Sequence, residues 1–122
     1  MLRPGRLRAL LDRHGGFTLE PHSGAVMDHG VSVCTQPNLS LHLPAWETPA
    51  VEWWLAHRAA DYLRPGCYVG GWSDPATADV WLDVVRLLPV TWLHAALRAA
   101  DQHGQRGVFD LCRRQLVLVR AS

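Results

Sequence analysis

The chain predicts a single α+β domain spanning residues 1–122, with a mainly antiparallel sheet of about six to seven strands and three helices. Three observations lead there. Short alternations of apolar and polar residues recur in pairs around turn residues. Longer stretches carry apolar residues at helical spacing between Pro, Gly and Thr punctuation. The two kinds follow one another as helix, three strands, helix, hairpin, helix, hairpin.

Pro4 suits the first turn of a helix, and Leu7, Leu10, Leu11 and His14 recur at helical spacing before Gly15 and Gly16 stop it. Residues 17–19 read as a strand, and Pro21-His22-Ser23-Gly24 as a turn. Residues 30–35 read as the antiparallel partner of that strand, because Val31 and Val33 alternate with Ser32 and Cys34. A third run sets Leu39, Leu41 and Leu43 on one face and Ser40 and His42 on the other. Thr48 as N-cap and Pro49 at the first helical position open a helix expected to reach about residue 64, where Pro65-Gly66 ends it. Its buried face takes Val51, Leu55, Ala59, Tyr62 and Leu63, with Trp54 at the margin. Trp53 falls nearly opposite, and His57 and Asp61 share the polar side four residues apart.

Residues 67–85, CYVGGWSDPATADVWLDVV, form the hairpin around which the rest is organised. Asp74 before Pro75 initiates its turn and Asp79 closes it. With the turn centred between Ala76 and Thr77, Trp72 lies across from Trp81 and Gly70 across from Asp83. One face then carries Cys67, Val69, Val80, Leu82 and Val84 toward the core. The other carries Tyr68, Gly70, Trp72, Trp81, Asp83 and Val85. Gly70 and Gly71 make room for a packed Trp or permit a bulge. Asp83, beside tryptophans, must be solvated, hydrogen-bonded or paired, with Arg58 or Arg86 as partner. Pro89 ends the second strand, a helix follows over about residues 91–103 before Gly104, and residues 108–111 and 116–120 make the last two strands around Cys112-Arg113-Arg114-Gln115.

Composition excludes more than it selects. The hydrophobic share of 48% supports one modest core, and no apolar run approaches the roughly 20 residues of a membrane-spanning helix. The first residues lack the apolar stretch of a secretory signal, so a cytoplasmic protein is expected. Every basic side chain is Arg, which fits codon bias in a GC-rich genome better than a choice of Arg for planar contacts. Residues 1–14 and 106–120 each carry a net +3, whereas residues 15–105 carry −5. Three isolated cysteines in strands or beside them are expected to act as small buried hydrophobes. His22, Asp28 and His29 are the closest metal-like cluster but lack a ligand spacing. No phosphate-binding glycine loop is present, and nothing brings Cys34 or Cys67 together with His57 and Asp61. No catalytic residue, metal or cofactor is therefore expected.

The tryptophans are the better lead, because Trp and Arg anchor protein interfaces. Six Trp in 122 residues is a high count. Trp53 projects from the wrong side of its helix and Trp46 sits in a Pro-flanked loop, so the candidate binding residues are Trp53, Trp46, His57, Asp61, Arg64, Arg113 and Arg114. Nucleic acid is the alternative partner, through Arg3, Arg6, Arg8 and Arg13 with Arg113 and Arg114, although no recognition signature accompanies them.

The patterns GGFT at 15–18, GxxV at 30–33, GGWxD at 70–74, VWLDV at 80–84 and VFDL at 108–111 resemble a group of small uncharacterised proteins of phages, prophages and integrative elements, especially of actinobacteria. They are similar also to accessory modules of large polyvalent phage proteins. The likeness covers most of residues 15–111, and the chain departs from the group in the apolar segment Arg86-Leu87-Leu88-Pro89-Val90. It supplies no catalytic residues. It implies a mobile-element setting, in which small proteins block host defence by binding a defence complex. The expected function is thus a non-enzymatic inhibitor of a host protein or ribonucleoprotein defence complex, such as an anti-CRISPR protein. The alternatives are a nucleic-acid-binding accessory protein or a small enzyme using Asp83, His57 and Cys67.

Overall fold

Helix α1, Pro4–His14, starts where proline costs no hydrogen bond and stops at Gly15, whose φ of 75° suits glycine. The computed structural model to which it belongs describes residues 2–34, 36–105, 107–113 and 115–119. Strands β1 (Gly16–Leu19), β2 (Val31–Cys34) and β3 (Leu41–Leu43) follow, then helices α2 (Thr48–His57) and α3 (Ala59–Tyr62). The hairpin β4 (Tyr68–Ser73) and β5 (Val80–Leu88) precedes α4 (Leu93–Gln102), and β6 (Gly107–Asp110) and β7 (Gln115–Leu118) complete the sheet. Short 3-10 turns occupy Pro37–Leu39 and Val90–Trp92. The class is α+β with one curled antiparallel sheet, as the alternation of elements predicts. None of the described helices is long and apolar enough to cross a membrane.

The strand order is β1-β4-β5-β2-β6-β7, with β3 paired to β5. The nine residues of β5 hold β4 along one edge and both β3 and β2 along the other. The expected pairing of residues 17–19 with 30–35 does not form. Leu19 bridges Val26 instead, Met27 N–H donates to Thr18 O at 2.8 Å, and the Glu20 carboxylate gathers the Ser23 N–H and hydroxyl at 2.6 and 2.7 Å. That local turn uses up the return path, so β1 pairs with β4 and β2 crosses the sheet to β5 and β6. Thr35, the end of the predicted strand, lies outside the described residues.

The helix expected over residues 48–64 breaks at Arg58, where φ and ψ are −102° and 5°. Tyr62, at the end of α3, turns inward there and its hydroxyl donates to Leu55 O at 2.7 Å. Trp54 is not marginal but 1% exposed, with its indole N–H donating to Leu39 O at 2.7 Å. The N-cap position falls to Glu47, and the Thr48 hydroxyl accepts from the Trp46 indole at 2.9 Å.

Strand alternation then decides what each face meets. Leu19, Val69, Leu82 and Val84 pack with Leu7, Leu11, Val51 and Trp54 of α1 and α2. Val31, Val33 and Val108 pack on the same side of the sheet with Ala96 and Ala100 of α4. The helices therefore cover one face. The opposite face presents Thr18, Gly70, Trp72, Trp81, Asp83, Val85, Cys34 and Phe109, residues that the ladder pairs place side by side. Because the sheet curls around it, Thr18, Cys34 and Val85 are buried although the described α-helices pack on the other face. The paired glycines serve this build differently from expectation. A Cβ on Gly71 would stand only 2.3 Å from a Phe17 ring carbon, and one on Gly70 would stand 3.0 Å from a Val85 methyl, so they accommodate Phe17 and Val85 rather than the tryptophans.

Candidate functional site

The β4–β5 hairpin has the register its turn residues predict, Trp72 opposite Trp81 and Gly70 opposite Asp83. Asp74 N–H donates to Asp79 O at 2.9 Å, the Asp74 carboxylate accepts from Ala76 N–H at 2.9 Å, and Ala78 takes a φ of 65° to close the loop. The two indoles stack at 4.7 Å between ring centres, inclined by 29°. Pairing of β3 with β5 sets His42 opposite Trp81, where the rings stack at 4.5 Å and 3°, and His42 Nε2 lies 3.5 Å from Asp79 Oδ2. The result is a slab of His42, Trp81 and Trp72 in sequence, with Trp81 sandwiched.

Asp83 lies two residues beyond Trp81, on the same face. Across from it Gly70 has no side chain, so the carboxylate is not roofed by its cross-strand neighbour. Ser40 Oγ donates to Asp83 Oδ1 at 2.5 Å, and Cys34 Sγ lies 3.7 Å from the Ser40 hydroxyl. Burial pushes the Asp83 carboxyl above the ordinary carboxylate range, opposed by hydrogen bonds from Ser40 and Cys34. Burial, and after it the charge of Asp83, pushes the Cys34 thiol up to about 11. That thiol is a poor nucleophile at neutral pH and acts as a wall of the site.

These groups line a cavity of about 580 Å³ on the uncovered face. The aromatic slab forms one side, Asp83 and Ser40 the floor, and Phe109 and Leu116 of β6 and β7 the far side. Neither Arg58 nor Arg86 pairs with Asp83; the register turns Arg86 to the other face with Val33.

The residues singled out as a binding surface lie elsewhere. Trp53 is 51% exposed and stacks on His57 at 4.2 Å, while the His57 Nδ1–H donates to Trp53 O at 2.8 Å. The break at Arg58 puts Asp61 on α3, and no ion pair joins it to His57 among the described residues. Arg64 is exposed just beyond α3. Trp46 is half-buried against the first core cluster with the Arg8 guanidinium 6.0 Å from its ring centre. Arg113 belongs to the β6–β7 turn, its Nε 3.9 Å from the buried Asp110, which also accepts from the Cys112 and Arg113 backbone N–H groups. Arg114 lies outside the described residues. Among the described residues no group of three His, Cys, Asp or Glu could hold a metal; His22 meets Glu20 and His29 meets Asp28. Cys34 and Cys67 are buried as expected, but Cys112 is exposed in its turn.

Sequence reading missed Ser40 and His42 as site residues, weighed Cys34 only as a buried hydrophobe or a nucleophile, and took Trp72 and Trp81 for a packed structural pair. Alternation already places Ser40 with His42, and Trp81 with Asp83. What it lacks is the pairing of β3 with β5, which joins the two sets. No family model matches the chain, and no curated protein and no solved structure matches it.

Proposed function

We propose that the chain is a binding protein that seats a ligand against the uncovered, curled face of its sheet. The observation that carries this reading is the cavity of about 580 Å³ with a stacked aromatic wall and a carboxylate floor. Small-molecule sites are concave, mostly apolar and furnished with a few placed polar groups, and they span roughly 300–1,000 Å³. Leaving Trp72, Trp81 and Phe109 to line an open hollow, when helices cover the other face, supports a surface kept for a partner. The test is a titration of the isotopically labelled protein with a fragment library, followed through the indole N–H resonances. Hits should move Trp72 and Trp81 together and lose affinity in Trp72→Ala. A library whose hits move only Trp53 or Trp46 would overturn it.

A second reading follows the likeness to mobile-element proteins: capture of a host defence complex through the Trp53–His57 stack. The half-exposed Trp53, held in place by its own helix, supports this as an interface anchor. Trp53→Ala should then abolish capture of the complex without moving the melting temperature. Capture that survives Trp53→Ala but fails in Trp72→Ala would assign the partner to the cavity instead.

A further inference from the structure

The charge lining the cavity narrows what fills it, taking the concave face as the binding site. Asp83 accepts from Ser40 and Cys34, and no Arg or His forms an ion pair with it among the described residues. Among the described residues the cavity lining adds a second carboxylate, Asp74, and no Arg side chain. Asp79 stands beside His42 at the end of the slab, so the one cationisable ring nearby already has an acid next to it. The described lining of the hollow is thus acidic and aromatic-walled.

We infer that the ligand is a planar organic cation of the amidinium or guanidinium type, with its N–H edge on Asp83 and its flat body along the Trp72–Trp81–His42 slab. Three chemical points select this class. A buried carboxylate without a cation is costly, and a cationic ligand removes that cost, whereas an anion adds a like charge. Ser40 and Cys34 take part of the carboxylate's acceptor capacity and leave lone pairs for a forked pair of donors, the geometry in which planar cations exceed ammonium groups. The Trp72–Trp81–His42 stack gives a flat organic body an aromatic wall of ring edges to lie along.

The experiment uses the full chain and three probes of one shape: benzamidinium, neutral benzamide and anionic benzoate. Binding is followed at the indole resonances at pH 8. Benzamidinium should move the Trp72 and Trp81 signals and bind at least about tenfold more tightly than the other two, with that margin lost in Asp83→Asn. Equal or tighter binding of benzamide or benzoate, or unchanged benzamidinium affinity in Asp83→Asn, would overturn the cation assignment while leaving the concave face as a binding site. Failure of all three probes to reach these tryptophans at millimolar concentration would overturn both. If Asp83→Asn does not fold, the ranking of the three probes on the unaltered chain decides the matter.

Discussion

Asp83 is withdrawn from water with one hydroxyl donor, and its carboxyl is raised above its ordinary value of 3.8 by burial. A folded-state value above the unfolded one means that the folded chain holds the proton more tightly. The stability this gives is fully present below the unfolded value and is lost as pH rises through the folded one. Asp83→Asn removes that loss while keeping an acceptor for Ser40. Its melting temperature should exceed that of the parent at pH 8, by roughly 4 °C for each kcal/mol released, and the gain should shrink at pH 4. Ser40→Ala acts in the opposite sense, leaving the carboxylate without its hydroxyl donor at a cost of about 1–3 kcal/mol, largest at pH 8 in urea unfolding. Among the described residues the remaining ionisable groups around Asp83 are Cys34, beside Ser40, and Asp74, Asp79 and His42 at the slab. With the Cys34 thiol held near 11 and buried, and Cys67 buried as well, a thiol reagent at pH 7.5 should label Cys112 fast and the other two only after unfolding.

Among the elements, the hairpin was readable because its information is local. Asp74, Pro75 and Asp79 set the turn, the turn sets the register, and the register sets which residues share a face. Strand neighbours far apart in the chain were not readable in this way. Alternation says which side chains point together but not which strand lies alongside, so β1 and β2 read as partners when β4 and β5 lie between them. The helix break at Arg58 carries no Gly or Pro and comes from tertiary packing of Trp54 and Tyr62. The two adjacent tryptophans of α2 offer a contrast that checks this packing. Trp54→Ala should cost about 3–5 kcal/mol in chemical unfolding, whereas Trp53→Ala should stay within about 0.5 kcal/mol. Gly71→Ala forces a methyl into Phe17 and should cost about 1–3 kcal/mol at least, seen in the same measurement.

At the scale of the whole molecule, the candidate site was half legible. Both faces of the hairpin follow from its sequence, but nothing in residues 67–85 says that α1, α2 and α4 all gather on one of them. That placement turned a pair of packed tryptophans into the wall of a cavity. It also gives the molecule two separate apolar clusters, one under α1 and α2 and one under α4, sharing no residue. They are joined through the ladder of β2 and β5, where Cys34 faces Val85. The aromatic slab belongs to the strands of the first cluster, and Phe109 and Leu116 to those of the second. Such clusters can open as separate cooperative units, each with its own free energy of exposure. A ligand touching both walls would therefore act as a second tie between two modules otherwise joined through the β2–β5 ladder. Amide exchange in β4 and in β6 should slow together when the cavity is filled.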